Sequence, residues 1–439
     1  MIDIRTHGAV PDTGKLCTEA IQAAIDAAGR GTVCIPSGEF LTGTLNLRGA
    51  SLYLEKGAVL KGSPDMADYV WNGYHHNEMG NVLSLIYSLE NDDIRIGGEG
   101  TIDLNGDAFY HMDRPNIPKS EVPLTQAQID ECTRLYDARP NQPIFFYKCN
   151  NVTISGIRII NAPCWTTSFI ECENIRMLDL TIDNSLRLPN NDGMHFCCCK
   201  HVFVRGCNIS AGDDCIAVSC ITDWDKVCED IVISDCILRS CSKAIVVGYM
   251  HSIVRNICIS NVIIYESNRG LCIMTSSRTG LVENVLVSNS RIDTRVRAGN
   301  WWGNGEAVCI MGTRHHNTNY AHSEPERTFP VNVRNVTLNG LQCTSENALG
   351  IVGEGDNISD IRLLNTSVSL KDSANKAIKG NRIDLSPGAP VGDLPDDGKA
   401  YWLHLQGVCG IHVENAWVAH FHGEVPGVSQ RNCHDITIR

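Results

Sequence analysis

Polar and apolar positions along the chain fall into a short phrase that recurs. Each copy opens on a small or apolar residue, continues with two polar ones, and then alternates apolar and polar positions. Copies open at Cys149, Cys172, Cys199, Cys228, Val254, Val282, Val333 and Ile358, and close on Gly156, Asp179, Gly206, Asp235, Asn261, Asn289, Gly340 and Asn365. Alternation with period two that ends on Asn, Asp or Gly is a short strand meeting a turn. Successive copies start 23 to 29 residues apart, except for one gap of 51 that marks either a degenerate coil or an insertion. Strands returning at that interval, with no helices between them, indicate a solenoid of stacked coils. Sandwiches need hairpin turns and propellers need blades of about 40–45 residues, and the sequence offers neither. The expectation is an all-β chain, a parallel β-helix, forming one domain over residues 1–439.

The ends and interruptions of the pattern add detail. Ile21 and Ile25 lie four apart between Thr18 and Ala28, and Gly29 follows as a stop, which predicts a helix capping the N-terminal end of the stack. Short strands resume around Val33, Leu45 and Leu52. Between 108 and 143 the pattern lapses into several prolines and one predicted helix from Thr125 to Ala138, an insertion standing on the coil surface. A second polar excursion, rich in Gly, Pro and Asp, runs from Lys371 to Lys399. Cys149, Cys172, Cys199 and Cys228 share one position of the phrase, and Cys207 and Cys236 another, as expected of interior rows of small apolar side chains.

Composition narrows the function classes. A net charge of −13, with no cluster of Lys and Arg, argues against a nucleic-acid partner. No stretch has the length of a membrane span, and residues Met1 to Arg5 open without the basic and apolar regions of a leader. The 21 cysteines then read as reduced thiols of a cytoplasmic protein. Oligomeric state is not legible.

Candidate chemistry lies in two acidic clusters, Asn190-Asn191-Asp192-Gly193 and Gly212-Asp213-Asp214-Cys215. Each alone matches an ordinary turn. They follow consecutive phrases, however, and residues one coil apart stack at about 4.8 Å. Asp192 should therefore meet Asp213 and Asp214 on one face, both of the latter reaching it only if a turn at Gly212 interrupts the pleat. Crowded carboxylates raise one another's pKa. That suits glycosidic hydrolysis, where an acid protonates the leaving oxygen and a carboxylate activates water; a Ca²⁺ site is the competing use. Cys197, Cys198 and Cys199 between His195 and His201 invite a zinc reading. Three consecutive strand residues cannot face one way, and no CxxC pair accompanies them.

With these clusters in view, the chain resembles glycoside hydrolase family 28, the polygalacturonases. The likeness runs from His7-Gly-Ala-Val10 and Gly31 to Pro36 through Asn161-Ala-Pro-Cys-Trp165 to the two clusters. Asn190-Asn191-Asp192 matches the family's Asn-Thr-Asp motif with Asn for Thr, and Asp213-Asp214 matches its Asp-Asp motif. The resemblance implies a right-handed parallel β-helix and inverting hydrolysis. Asp213 would be the general acid, with Asp192 and Asp214 holding and deprotonating the attacking water; no cofactor and no metal is implied. Two motifs depart. The family's Gly-His-Gly falls on Ser242-Lys243-Ala244, and its Arg-Ile-Lys, which grips the galacturonate carboxylate, falls on Cys272-Ile273-Met274. The sugar at the cleavage site is therefore expected to be neutral, or its carboxylate to be held by substitutes such as Lys243, Arg269 or Arg278.

Sugar sites use aromatic platforms, for which Trp165, Tyr249, Trp301 and Trp302 are candidates. The two adjacent tryptophans sit among glycines, as in a surface loop, with Glu306 placed to hydrogen-bond sugar hydroxyls. His315-His316 reads as a polar turn, and His75-His76 and His111 as rim residues in irregular segments. The reading is an inverting glycoside hydrolase acting on pectin-derived oligosaccharides, exo-acting if the 108–143 insertion walls off the groove, and not a plain polygalacturonase. Alternatives are a polysaccharide lyase with Lys243 as base, and a non-catalytic carbohydrate-binding solenoid.

Overall fold

The structure, a computed structural model, describes every residue except 119–121, 315–323, 388–392 and 422. Three long sheets of 14, 12 and 12 parallel strands run the length of the chain. They stack coil on coil as a right-handed parallel β-helix. The recurring phrase forms the first sheet; Glu173–Leu178, for example, pairs with Asn150–Ser155 on one side and Lys200–Arg205 on the other.

Both ends of the phrase are set by backbone conformation. The last of its polar pair adopts positive φ in coil after coil, as at Asn174, Asp230, Asn256, Asn284 and Asn335. The closing residue does so too, at Gly156, Asp179, Gly206, Asp235 and Asn261. Only Gly, Asn and Asp tolerate that region at low cost, which is why the phrase closes on those three. The asparagines also bond along the stack, Asn335 to Asn284 at 2.8 Å and Asn284 to Asn256 at 3.0 Å. Inside, apolar side chains form one continuous core, and Cys149, Cys172, Cys199, Cys228, Cys207 and Cys236 all lie buried in it as expected. The helix Thr18–Ala28 packs Ile21, Ala24 and Ile25 against the first coils and caps the stack.

Several expectations are corrected. The helix predicted from Thr125 to Ala138 is one short turn, Gln126–Asp130, closed by a capping box between Thr125 and Gln128. The chain then turns back so that Arg134–Tyr136 pairs antiparallel with Tyr110–Pro115. Those strand bonds compete with further helix and win. The gap of 51 residues is insertion and not a lost coil, because Leu281–Ser288 pairs directly with Val333–Asn339. His75 and His76 belong to a hairpin strand, Trp71–His76, paired with Gly80–Leu83. His315-His316 lies outside the described residues. Among the described residues no helix is long and apolar enough to cross a membrane.

The outer face of the third sheet matters most. In register along the stack it presents Phe145, Ser168, His195, Ala217, Val246, Cys272 and Cys309. The Trp71–Leu83 hairpin covers its N-terminal part in an apolar cluster with Phe145, Trp165 and Trp224. The 371–399 excursion covers its C-terminal part, packing Ile383, Leu385 and Leu394 with Cys272, Met274 and Cys309. A window is left between the two covers.

Candidate active site

The two acidic turns open into that window one coil apart, tied by the Gly193 amide donating to the Asp214 carbonyl at 2.9 Å. Their glycines are required by space. A Cβ on Gly193 would sit 2.4 Å from the Cys215 carbonyl oxygen, and one on Gly212 2.4 Å from that of Leu188. Asn191, the departure from the family's threonine, is a fully buried bracket. Its amide donates to the Ser185 carbonyl at 2.7 Å and its oxygen accepts from the Gly212 amide at 2.7 Å. The turn at Gly212 thus brings Asp213 and Asp214 to one face. One oxygen each of Asp192, Asp213 and Asp214 lies within 4.8 Å of the others.

The three carboxylates have different partners. Asp214 meets the Lys243 ammonium at 3.0 Å and accepts the Lys243 amide at 3.2 Å. Asp192 lies 2.8 Å from His195 Nε2, while its other oxygen has no hydrogen-bond partner among the described residues. Asp213, the least buried, accepts the Asn190 amide at 3.3 Å. Burial, then the Asp214 charge, holds the Asp192 carboxyl well above the usual carboxylate range. Burial, then the charges of Asp192 and Asp214, does the same to Asp213. His195 is pushed down to about 4 by burial, so its imidazole is neutral near pH 7 and donates from Nε2 to Asp192. Burial opposes the charge on Lys243, yet Asp214 and Asp213 outweigh it and hold its pKa above the ordinary lysine value.

Around the trio lies a cavity of about 210 Å³, lined among others by Glu78 of the hairpin tip, Thr133 of the insertion, and Asn300, Trp301 and Trp302. Trp165, Asn190 and Tyr249 also line it. Trp165 offers no open platform, because its ring stacks on His195 at 3.7 Å between centroids and meets His76 edge-on. The Trp301-Trp302 run is a loop but not an exposed one. Trp301 is buried, and its indole donates to the Glu131 carbonyl at 2.9 Å.

Three expected sugar contacts are corrected. Lys243 is 1% exposed and faces Asp214, not the cavity. Arg269 and Glu306 are both fully buried and pair with each other at 3.3 Å. Glu306 also accepts the amides of Asn304 and Asp384, each at 2.7 Å, and Arg269 bonds the Asp384 carbonyl. The pair pins the tryptophan loop to the 371–399 excursion and does not reach a sugar.

Two further residues matter. Arg139 of the insertion donates to the carbonyls of Pro163 and Pro189 at 2.9 and 2.6 Å, and to Asn190 Oδ1 at 2.9 Å. It sets the loop whose amide contacts Asp213, and no local pattern marks it. His195 was not among the expected site residues, though a signal marks it: in Met194–Cys197 alternation turns Met194 and Phe196 inward and His195 out, three residues after Asp192. A cation could approach the trio's clustered oxygens, but the Lys243 ammonium already neutralises one carboxylate, as a structural counter-ion would.

Comparison with known proteins places the chain among carbohydrate-active solenoids. The family model described as "Glycosyl hydrolases family 28" matches residues 27–383. A "Probable polygalacturonase" of Vitis vinifera is 25% identical over 89% of this chain and 80% of its own length. An "Exopolygalacturonase" of Zea mays is 26% identical over 47% of this chain and 45% of its own. In fold, the family 28 exopolygalacturonase of Yersinia enterocolitica superposes with a TM-score of 0.67 at 18% identity, covering 99% of this chain and 77% of that one.

Proposed function

The chain belongs to glycosyl hydrolase family 28, a pectin-degrading glycoside hydrolase, and from that premise we propose that it trims pectin-derived oligosaccharides from one end, by inversion, on a substrate other than plain polygalacturonan. The observation that carries the reading is the enclosure of the carboxylate trio. The hairpin tip, the 108–143 insertion and the tryptophan loop each contribute lining residues, and the excursion closes the face beyond Val246. These segments are stitched together, Gln128 to Asn375 at 2.8 Å and Asn375 to the Val296 carbonyl at 2.9 Å. A groove stopped in this way accepts a chain end and not a chain middle.

Within the pocket, Asp213 is the carboxyl that pairs with neither His195 nor Lys243, and burial and two neighbouring charges raise its pKa, so the transferable proton is assigned to it. It serves as general acid to the leaving oxygen. Asp214, held beside Lys243, and Asp192, oriented by His195, hold and deprotonate the water. The closest oxygens lie nearer together than the roughly 6.5–9.5 Å between the carboxyls of typical inverting enzymes. Inversion therefore rests on the family resemblance, and proton NMR of the first anomer released tests it.

Mass spectrometry of products from wild type and Asp213→Asn, over galacturonan, rhamnogalacturonan and neutral side-chain oligosaccharides, tests the whole reading. Water-added end products, lost in the variant, are expected; random internal cuts overturn exo action. A lyase mechanism would need Lys243 as a free base, and an ammonium held charged by two carboxylates is poorly suited to that. A cytoplasmic site of action is part of the proposal and rests on cysteines that all stand free, nearly all of them buried.

A further inference from the structure

From the charge layout of the pocket we infer that the terminal sugar it accepts is neutral, and that Trp302 enforces this by sealing off the site's ammonium group. The inference rests on the hydrolase reading above and names its substrate class. Four carboxyl side chains line the cavity, Glu78, Asp192, Asp213 and Asp214, and among the described residues no Lys or Arg side chain does. Of the cations beside it, Arg139 is spent on the carbonyls of Pro163 and Pro189 and on Asn190 Oδ1, and Lys243 is boxed in. Its ammonium lies 3.0 Å from Asp214 and 3.3 Å from Ser242 Oγ, and 4.5 Å from the centroid of the Trp302 ring. Trp302 also lines the cavity, so the indole stands between that charge and a bound sugar.

The floor beyond the trio gives no substitute. Val246 follows Ala217 in register, then come Cys272 and Cys309 beneath Ile383 and Leu385. The next cation up the stack, Arg269, is spent on Glu306. A uronate carboxylate in this cavity would be desolvated beside acidic side chains with no Lys or Arg among the described lining residues to pair with, which is unfavourable. A sugar carrying a hydroxymethyl, a methyl or no C5 substituent meets no such cost, and its hydroxyls can donate to the carboxylates.

Matched pairs of oligosaccharides decide the matter. Members of a pair differ only in the non-reducing terminal residue, galactose against galacturonate or glucose against glucuronate, on the same acceptor chain. Release of the terminal sugar is measured as kcat/KM, and pairs that do not react are compared by calorimetric binding to the wild-type protein. At least a tenfold preference for the neutral member is expected in each pair that reacts or binds. Equal or better performance of the uronate member overturns the inference while leaving exo-hydrolysis intact. Absence of water-added cleavage from every substrate overturns the hydrolase reading instead, and binding then judges the charge preference alone; no binding of either member overturns that as well. Trp302→Ala, which uncovers Lys243, should narrow the neutral-to-acidic ratio. Folding of this variant is checked by its unfolding temperature, and an unchanged ratio in a folded variant removes Trp302 from the argument.

Discussion

Lys243 and Arg269 occupy the same register position on adjacent strands of the third sheet, and both are buried, yet they serve opposite ends. Arg269 meets one carboxylate, Glu306, whose remaining bonding capacity is filled by backbone amides, and the pair is closed from solvent. Lys243 meets one carboxylate of three, and the cluster opens to the cavity. The Arg269–Glu306 pair is balanced in charge, and both Glu306 oxygens are hydrogen-bonded. The Lys243 cluster carries surplus negative charge and leaves an oxygen of Asp192 and the Nδ1 of His195 without partners among the described residues. Balance holds loops in place; imbalance stores the raised pKa that acid catalysis needs.

The largest effect that tests this contrast is chemical. Asp213→Asn should lower kcat by about 10²–10⁴-fold, the usual worth of a general acid, while leaving the fold intact. Steady-state rates on the best substrate check it. A fall below tenfold would put the acid elsewhere in the trio. On the balanced side the same kind of change should strike stability instead. Arg269→Ala strands Glu306 in the interior, and breaking a buried pair from one side costs about 3–5 kcal/mol. Chemical denaturation measures that loss, and an Arg269→Ala protein as stable as wild type would show that the pair does not hold the loops.

His195 sharpens the boundary between the two kinds of site. It touches Asp192 and Trp165 and is argued to position the base. Losing a hydrogen bond to a charged group costs about 1.5–3 kcal/mol, so His195→Ala should lower kcat about 10–100-fold with KM little changed. His195→Gln, able to donate a similar bond, should recover part of the rate. A structural role alone would lower stability and leave the pH profile in place; a positioning role moves the limb that reports the base.

Much of this contrast was legible before the structure, though unevenly. The coil repeat showed because two turn positions per coil adopt positive φ, which favours Asn, Asp and Gly there, with His201 the exception, and prints the period into the sequence. The trio showed because its two clusters follow consecutive phrases, each with a glycine, Gly193 or Gly212, where a Cβ has no room. Burial of the loops over the sheet did not show. Arg269, Glu306 and Trp301 have the residue types of a sugar site, and only the packing of 371–399 against the tryptophan loop, far away in sequence, turns them into a structural lock. Arg139 was hidden for the same reason: its partners are carbonyls of Pro163 and Pro189, groups every residue carries. The predicted helix at Thr125 was right about where it starts and wrong about its length, because the competing strand partner lies upstream at Tyr110–Pro115.

The smallest expected effect is the most specific to stored charge. Asp192 and Asp213 have pKa values raised in the folded state well above the ordinary aspartate value. A carboxyl of that kind binds its proton more tightly when folded, so the stability it contributes is full below the unfolded pKa and is lost as pH rises through the folded one. At pH 7 the wild-type cluster is therefore a liability that Asp213→Asn relieves, and the variant should unfold at a higher temperature than wild type. As pH falls toward about 4 the unfolded carboxyl takes up its proton as well and the advantage should vanish. His195 titrates with the opposite sign: its pKa is lowered to about 4, so acidification from about 6.5 costs stability. The Asp213 charge itself holds the His195 pKa up, so in the variant acidification costs at least as much, which adds to the loss of its advantage. Unfolding temperatures of the two proteins, measured in parallel between pH 4 and pH 8, isolate the Asp213 contribution. A difference that stays constant with pH would mean that the substitution acts through packing and that the cluster holds no surplus charge, which would erase the distinction between it and the Arg269–Glu306 lock.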